Sequence, residues 1–176
     1  MNKTVKLAFI LFLVCAIVAG VLGGVYNMTA GVIQARADAK TAEAYSAVLQ
    51  ASGYTDVDFD TAAHPTVSVV SESKDGNGWV VTSTFSGAQG NITMIVGVDT
   101  DYKCTGISIT DHSETSGLGA NAASTGEVGI NFRAQFVGKD DSVTLTDIDA
   151  LTGATITSRA VTNAVAESIR TVEDLG

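Results

Sequence analysis

Cysteine is nearly absent from this chain. Cys15 and Cys104 are the only two, and Cys15 falls inside an N-terminal apolar run. A single remaining thiol excludes an intrachain disulfide, and no Cys-x-x-Cys or His/Cys cluster offers a metal or thiol redox centre. Any electron chemistry would therefore need an organic cofactor. Histidine is just as scarce, with His64 and His112 alone, and no Ser/His/Asp spacing points to a hydrolase. Basic residues are few: ten Lys and Arg stand against nineteen Asp and Glu, a formal net charge of −9. Leaving out Lys3 and Lys6, the part beyond Ala35 has eight basic and all nineteen acidic residues, a balance of −11. A surface of that sign excludes nucleic acid as a partner and does not favour lying on anionic lipid. With 45% hydrophobic and only 16% charged residues, the composition is that of a folded chain rather than a disordered one. There is no repeat of solenoid period.

The longest apolar run is N-terminal. From Leu7 to Val25 no residue is charged or strongly polar, about the span a transmembrane helix needs. A cleaved signal peptide is the rival reading, for which Ala19, Gly20, Gly23 and Gly24 supply small residues. Val14 is too bulky to precede a lipidated cysteine at Cys15. Length favours the uncleaved anchor. Lys3, Lys6 and the terminal amine precede the run, and Arg36, Asp38 and Lys40 are the first charges after it. This bias predicts an inside N-terminus, a single-pass chain in the cell membrane, and a soluble part on the extracytoplasmic side. The expected organisation is an anchor over 1–28, a helical linker and loop over 29–60, and a compact domain over 61–176.

Within the soluble part, Thr29 to Gln50 is rich in alanine and carries apolar residues at helical spacing, which predicts a helix continuing from the anchor or starting just beyond it. Residues 51–66 read as loop. Alternating apolar positions then mark strands: Val67 and Val69; Val80, Thr82 and Thr84; Ile92, Met94, Val96 and Val98; Ile107 and Ile109. Turn signals at 75–78, 86–91 and 99–101 separate them, so the spacing predicts an antiparallel meander of about four strands. A Gly- and Ser-rich loop follows, then a short helix or ordered turn at 131–139, a further strand at 142–146 (SVTLT), and a last helix over 158–172. Strands with helices segregated at the ends give an α+β fold.

The segment LTGATITS gathers Thr152, Thr155, Thr157 and Ser158 around Gly153 and Ala154 at the mouth of that last helix. Thr157 or Ser158 is the expected N-cap. One cap uses one hydroxyl. The others lie where free backbone N–H groups and the positive dipole end favour an anion, and short side chains at Gly153 and Ala154 let a phosphate approach. No lysine follows the glycine, so this is not a Walker loop. Upstream, DHSETSGLGA (Asp111 to Ala120) has glycines that allow a flat ring close to the backbone, polar groups at Glu114 and Thr115 for its edge, and Leu118 for its face. Alone, this loop reads more readily as a Gly-rich surface turn.

Together these stretches resemble the FMN-binding domain family, found in the G subunit of Rnf complexes and the C subunit of the sodium-pumping NADH:quinone oxidoreductase. In that family an Asp stands three residues before a Ser/Thr-Gly-Ala-Thr core whose last Thr carries FMN through a phosphoester. The resemblance makes the Asp Asp149, the core Thr152-Gly153-Ala154-Thr155, and the acceptor Thr155, with Thr157 the second choice. The loop matches His-x-Glu-Thr-Pro-Gly-Leu-Gly through His112, Glu114, Thr115, Gly117, Leu118 and Gly119. Ser116 replaces the usual Pro, which leaves the loop less rigid. Phe132, Gln135, Phe136, Gly138 and Lys139 match a third segment, where the phenylalanines are expected in the core.

The resemblance implies one covalent FMN in a membrane-anchored subunit that relays electrons in an Rnf-type ferredoxin:NAD oxidoreductase complex coupled to ion movement. It implies no catalytic residue of its own, no metal, partner subunits of a membrane redox complex, a flavin transferase for maturation, and lipid contact through one helix. The rival readings are a freestanding flavinylated electron carrier, a non-covalent FMN protein, and a non-redox anchored binding domain.

Overall fold

The computed structural model describes residues 3–176; the terminal amine used above for orientation lies outside them. The chain forms two units, 1–40 and 41–176. The first is helix throughout its described length, the greater part of α1 (Lys3–Val48), with its apolar side chains exposed. It is long and apolar enough to cross a membrane. The helix begins in this run and continues through the Ala-rich stretch without a break, the first of the two alternatives left open by the sequence.

The second unit is α+β. Five strands, β1 (Tyr54–Val57), β2 (Val67–Ser73), β3 (Trp79–Ser86), β4 (Asn91–Val98) and β5 (Cys104–His112), make one antiparallel sheet in chain order. A 3-10 turn (Gly119–Ala123), α2 (Glu127–Ala134), a second 3-10 turn (Leu145–Asp147) and α3 (Thr155–Glu173) follow.

One sheet face carries the main core. Val81 and Phe85 of β3, Ile92, Met94, Val96 and Val98 of β4, and Ile107 of β5 meet Val161, Val165, Ile169 and Val172 of α3. The period of two on the strands and 3.6 on the helix brings these residues to one interface. Phe132 and Phe136 close it, edge to face with centroids 5.4 Å apart. Cys104 lies in this core, where burial pushes its thiol up to about 12, so it remains protonated and inert. The hydroxyls α3 buries at Ser158, Thr162 and Ser168 bond to carbonyls four residues back, which satisfies them without a partner from the sheet.

The other face takes the last turns of α1. Ala44, Val48 and Leu49 pack on Val80 and Ile95. The carbonyls left over at the end of the helix are answered from the sheet: Thr105 Oγ1 donates to Val48 O and Tyr54 Oη to Leu49 O. Val48 can lie this low because Gly97 and Gly106, partners across β4 and β5, present no side chain.

Several elements differ from expectation. Residues 54–57 form a strand, β1, paired with Val70–Ser73; four residues, two of them polar and exposed, carry too short a pattern to register. A bulge between Val67 and Val69 shifts the inward position to Val70, which is fully buried. Val80, Thr82 and Thr84 belong to the α1 face, where Tyr45 Oη meets Thr82 Oγ1 at 3.2 Å. The segment SVTLT is not a strand. Ser142 bonds Asp140, and Thr144 and Asp147 form a capping box, so local side chains take the backbone groups a ladder would need. α3 begins at Thr155, three residues earlier than expected. His64 is structural: its two ring nitrogens lie 2.9 Å from Glu167 and 3.0 Å from Asp174, tying the 60–65 turn to α3.

The notch at Gly97 gives a test. A Cβ there would stand 2.6 Å from Val48 O. Gly97→Ala is expected to destabilise the full-length chain in detergent by about 1–3 kcal/mol, read by denaturant unfolding. A variant as stable as wild type would mean that the end of α1 is not seated on the sheet.

Candidate functional site

The two motifs read from the sequence meet at one buried carboxylate. Glu114 leaves the end of β5 and turns inward. Its Oε1 accepts the N–H groups of Ala88 at 2.8 Å and Gln89 at 3.0 Å, in the β3–β4 turn. Its Oε2 accepts the hydroxyl of Thr157, in the first turn of α3 and 43 residues along the chain. The space is closed around it: a Cβ at Gly119 would collide with both the carboxylate and Thr157 Oγ1. Burial is the largest single influence on this carboxyl and pushes its pKa up. The donors at Gln89, Thr157, Ala88 and Gly90 together outweigh burial and hold the pKa below the usual glutamate value. No cation pairs with it among the described residues.

The turn over residues 152–155 sits directly beside this knot. Ala154, not Thr157 or Ser158, is the N-cap of α3, and no side chain caps the helix. Ser158 instead donates to Ala154 O at 3.0 Å and accepts Leu151 N–H at 3.0 Å. Gly153 makes the approach with φ of +73°, a conformation that favours glycine. The outcome separates the hydroxyls. Thr157 and Ser158 are fully buried and bonded, while Thr152 and Thr155 are exposed. Thr155 thus stands in the open at the uncapped N-terminus of a 19-residue helix, where the orphan N–H groups and the dipole favour a phosphate.

The remaining predicted residues surround that turn. Thr115 and Gly117 are exposed; Thr115 O accepts the N–H of Leu118 and of Ala120, which curls the loop back on itself. Leu118 is 44% exposed, and a Cβ at Gly153 would lie 3.1 Å from its Cδ2, so the loop leans on the 152–155 turn. Beyond Leu118 the buried Gly119 begins the 3-10 turn. On the other side, Gln135 clamps the backbone of Asp149, accepting its N–H at 2.7 Å and donating to its carbonyl at 3.3 Å. A shallow depression of about 340 Å³ lies there, lined in part by Val128, Asn131 and Thr152.

Sequence reading overlooked three contributors. The 87–90 turn supplies donors to Glu114, but through backbone N–H groups that leave no trace in side-chain identity. Ile156, beside Thr155, is 65% exposed. Arg133 donates to the carbonyls of Ala122 at 2.6 Å and Ser124 at 2.9 Å, which fixes the end of the glycine loop.

Because ionised Glu114 is favoured in the folded state, its contribution to stability is fully present above the unfolded-state pKa of about 4.3 and is lost as pH falls through the lower folded value. Glu114→Gln should therefore cost on the order of 1–3 kcal/mol at pH 7. The gap to wild type should close as pH falls below about 4. Denaturant unfolding across pH measures both, and a gap independent of pH would contradict the charged state assigned to Glu114.

Comparison with known proteins bears on the same stretch of chain. Residues 87–170, which contain the 87–90 turn, the glycine loop and the 152–155 turn, match the family model described as FMN-binding domain. The chain is 41% identical over 102 residues to the G subunit of the proton-translocating ferredoxin:NAD(+) oxidoreductase complex of Clostridium ljungdahlii, covering 53% of this chain and 52% of that one. It is 36% identical over 107 residues to the corresponding G subunit of the Na(+)-translocating complex of Acetobacterium woodii, covering 54% and 49%. In these two matches the chain spans about half the length of the relative. The match to the G subunit of the ion-translocating oxidoreductase complex of Methanosarcina acetivorans, 32% identical over 181 residues, covers 96% of this chain and 94% of that protein. On that near full-length match, the chain belongs to the family of G subunits of ion-translocating oxidoreductase complexes.

Proposed function

We propose that this chain carries one FMN bound covalently through a phosphoester to Thr155 and relays electrons as an anchored subunit of an ion-translocating ferredoxin:NAD oxidoreductase complex. The observation that carries the proposal is the division of labour between the two threonines: Thr155 is exposed at an uncapped helix end, while Thr157 is buried and committed to Glu114. The residues fit the group. Gly153 keeps the approach open, Thr152 and Ala154 add little bulk, and the α3 N-terminus favours the single negative charge of a phosphodiester. Leu118 and Ile156 offer apolar surface to a flat ring, with Thr115 and Gly117 at the loop edge. Glu114 and Gly119 support the site from beneath.

Attachment requires an FMN phosphate that bears a leaving group, as in a flavin dinucleotide, and a flavin transferase to activate it. Thr155 Oγ1 forms the new bond to the flavin-side phosphorus. The bond from that phosphorus to the bridging oxygen breaks, AMP departs with the electron pair, and the hydroxyl proton is released. FMN once bound supplies the redox chemistry; the chain's own residues hold and orient it. The neighbouring subunits of the complex would be donor and acceptor. The apolar N-terminal helix serves as an uncleaved anchor, and Lys3 and Lys6 before it favour a soluble part on the extracytoplasmic side. The boundaries 1–28, 29–60 and 61–176 serve as anchor, linker and FMN-binding domain.

Expression with a flavin transferase should give a fluorescent band on a denaturing gel and a mass gain of one FMN less one water, and expression without it should give neither. Thr155→Ala should abolish both while leaving stability within the few tenths of a kcal/mol usual for an exposed site, about 0.5 or less. Label retained in Thr155→Ala would move the acceptor to Thr157, and no label on wild type beside a labelled control protein would leave a binding domain without covalent flavin.

A further inference from the structure

The charges around the acceptor turn do not balance for the group proposed to sit there. Glu114 is a buried anion with no ion-pair partner among the described residues, and its carboxylate already faces the first turn of α3 through Thr157. Asp149 is exposed six residues before Thr155. A phosphodiester on Thr155 would add a further negative charge to the same few residues. The helix end offers roughly half a positive charge, and Glu114 already lies against the first turn of that helix. The nearby cation Arg133 is committed to the carbonyls of Ala122 and Ser124, and Arg170 sits at the far end of α3 with Glu167 and Asp141.

One cation is left. Arg159 is exposed, forms no ion pair among the described residues, and is the only charged residue in the first two turns of α3. Its helical neighbours at spacings of three and four, Thr155, Ile156, Thr162 and Asn163, are all uncharged, so no carboxylate on the helix explains it. In a soluble part with a balance of −11, an unpaired guanidinium at this place stands out. Position i+4 from Thr155 puts it on the same helix face. Side chains in a helix lean toward its N-terminus, so the patch Arg159 covers is the turn that carries Thr155. The planar fork of guanidinium donors suits two oxygens of one phosphate.

We infer that Arg159 holds the phosphate at Thr155, donating its N–H groups to the non-bridging oxygens both as the flavin phosphate arrives and after it is attached. This rests on the FMN reading above. It assigns Arg159 as the counter-charge that the helix end alone does not provide.

The test uses the full-length chain in detergent, made without transferase and then labelled with a flavin transferase, flavin dinucleotide and Mg²⁺. Arg159→Gln should melt with wild type, since the side chain is exposed, and should take up label roughly three- to tenfold more slowly, the range of a charge-assisted contact at a partly exposed site. The deficit should shrink at high salt, and Arg159→Lys should recover much of the rate. In the labelled proteins the ³¹P resonance of the attached phosphate should move in Arg159→Gln. Equal rates with an unmoved resonance overturn the inference. A slower rate with an unmoved resonance also overturns it, because Arg159 would then contact the transferase. Thr155→Ala and wild type run alongside: if wild type takes no label, the FMN reading itself fails and this inference with it, whereas labelled wild type and an indifferent Arg159→Gln sink the inference alone.

Discussion

A buried carboxylate with no counter-ion among the described residues organises the part of this molecule that holds the candidate site. Desolvating Glu114 is costly, and the cost is offset by donors held in fixed positions: the N–H groups of Ala88, Gln89 and Gly90 in a hairpin turn and the hydroxyl of a helix. Each donor group belongs to a different stretch of chain. The β3–β4 turn, the glycine loop and α3 must therefore stand in register for the charge to be tolerated. Losing one donor leaves a poorly satisfied buried charge, which is worth more than the bond itself. The same requirement explains why Gly119 lacks a side chain.

That register determines which threonine faces solvent. With Thr157 drawn down to Glu114, the helix is set rotationally. Thr155, two residues earlier and about 200° around the helix, then points away from the body. Ala154 as N-cap leaves the helix end open, and the cap hydroxyls expected from the sequence are used inside the fold instead. A polar cluster that looks redundant in one dimension is thus divided into two buried supports, Thr157 and Ser158, and two exposed groups, of which Thr155 alone lies on the helix. Leu118 and Ile156, exposed beside it, would be a poor arrangement for a helix entry with no ligand, and a reasonable one for a seat.

The sheet was largely legible, because one buried face imposes a period of two that survives in Ile92, Met94, Val96 and Val98. It failed where the backbone breaks the period, at the Val67–Val69 bulge, and where a strand is too short to show one, at β1. SVTLT misled because alternation is a statement about side chains, whereas Asp140, Thr144 and Asp147 act on the backbone. At the site, motif resemblance proposed the residues, but sequence could not give their direction. Glu114 reads as a polar group available to a ligand; only the fold reveals that both its oxygens are spent. The turn that binds it and the unpaired state of Arg159 are equally invisible, the first because backbone N–H groups have no letter, the second because being unpaired is a property of the surroundings.

Under the proposed function, the electrostatics also give a reason for a covalent bond. Free FMN is an anion, and a soluble part with a balance of −11 lowers its concentration near the surface rather than raising it. The depression beside the acceptor turn is shallow, so it would bury little of a ring. A helix end with Glu114 already against its first turn and one exposed guanidinium would make a weak reversible site for such a ligand. Tethering removes the requirement for affinity: once the phosphorus is bonded to Thr155, the local concentration of the ring is fixed by the linkage, and weak contacts to Leu118, Ile156 and the loop are enough to orient it. The acidic surface then ceases to be a handicap for holding the cofactor, and the site can remain open on the side from which electrons must come and go.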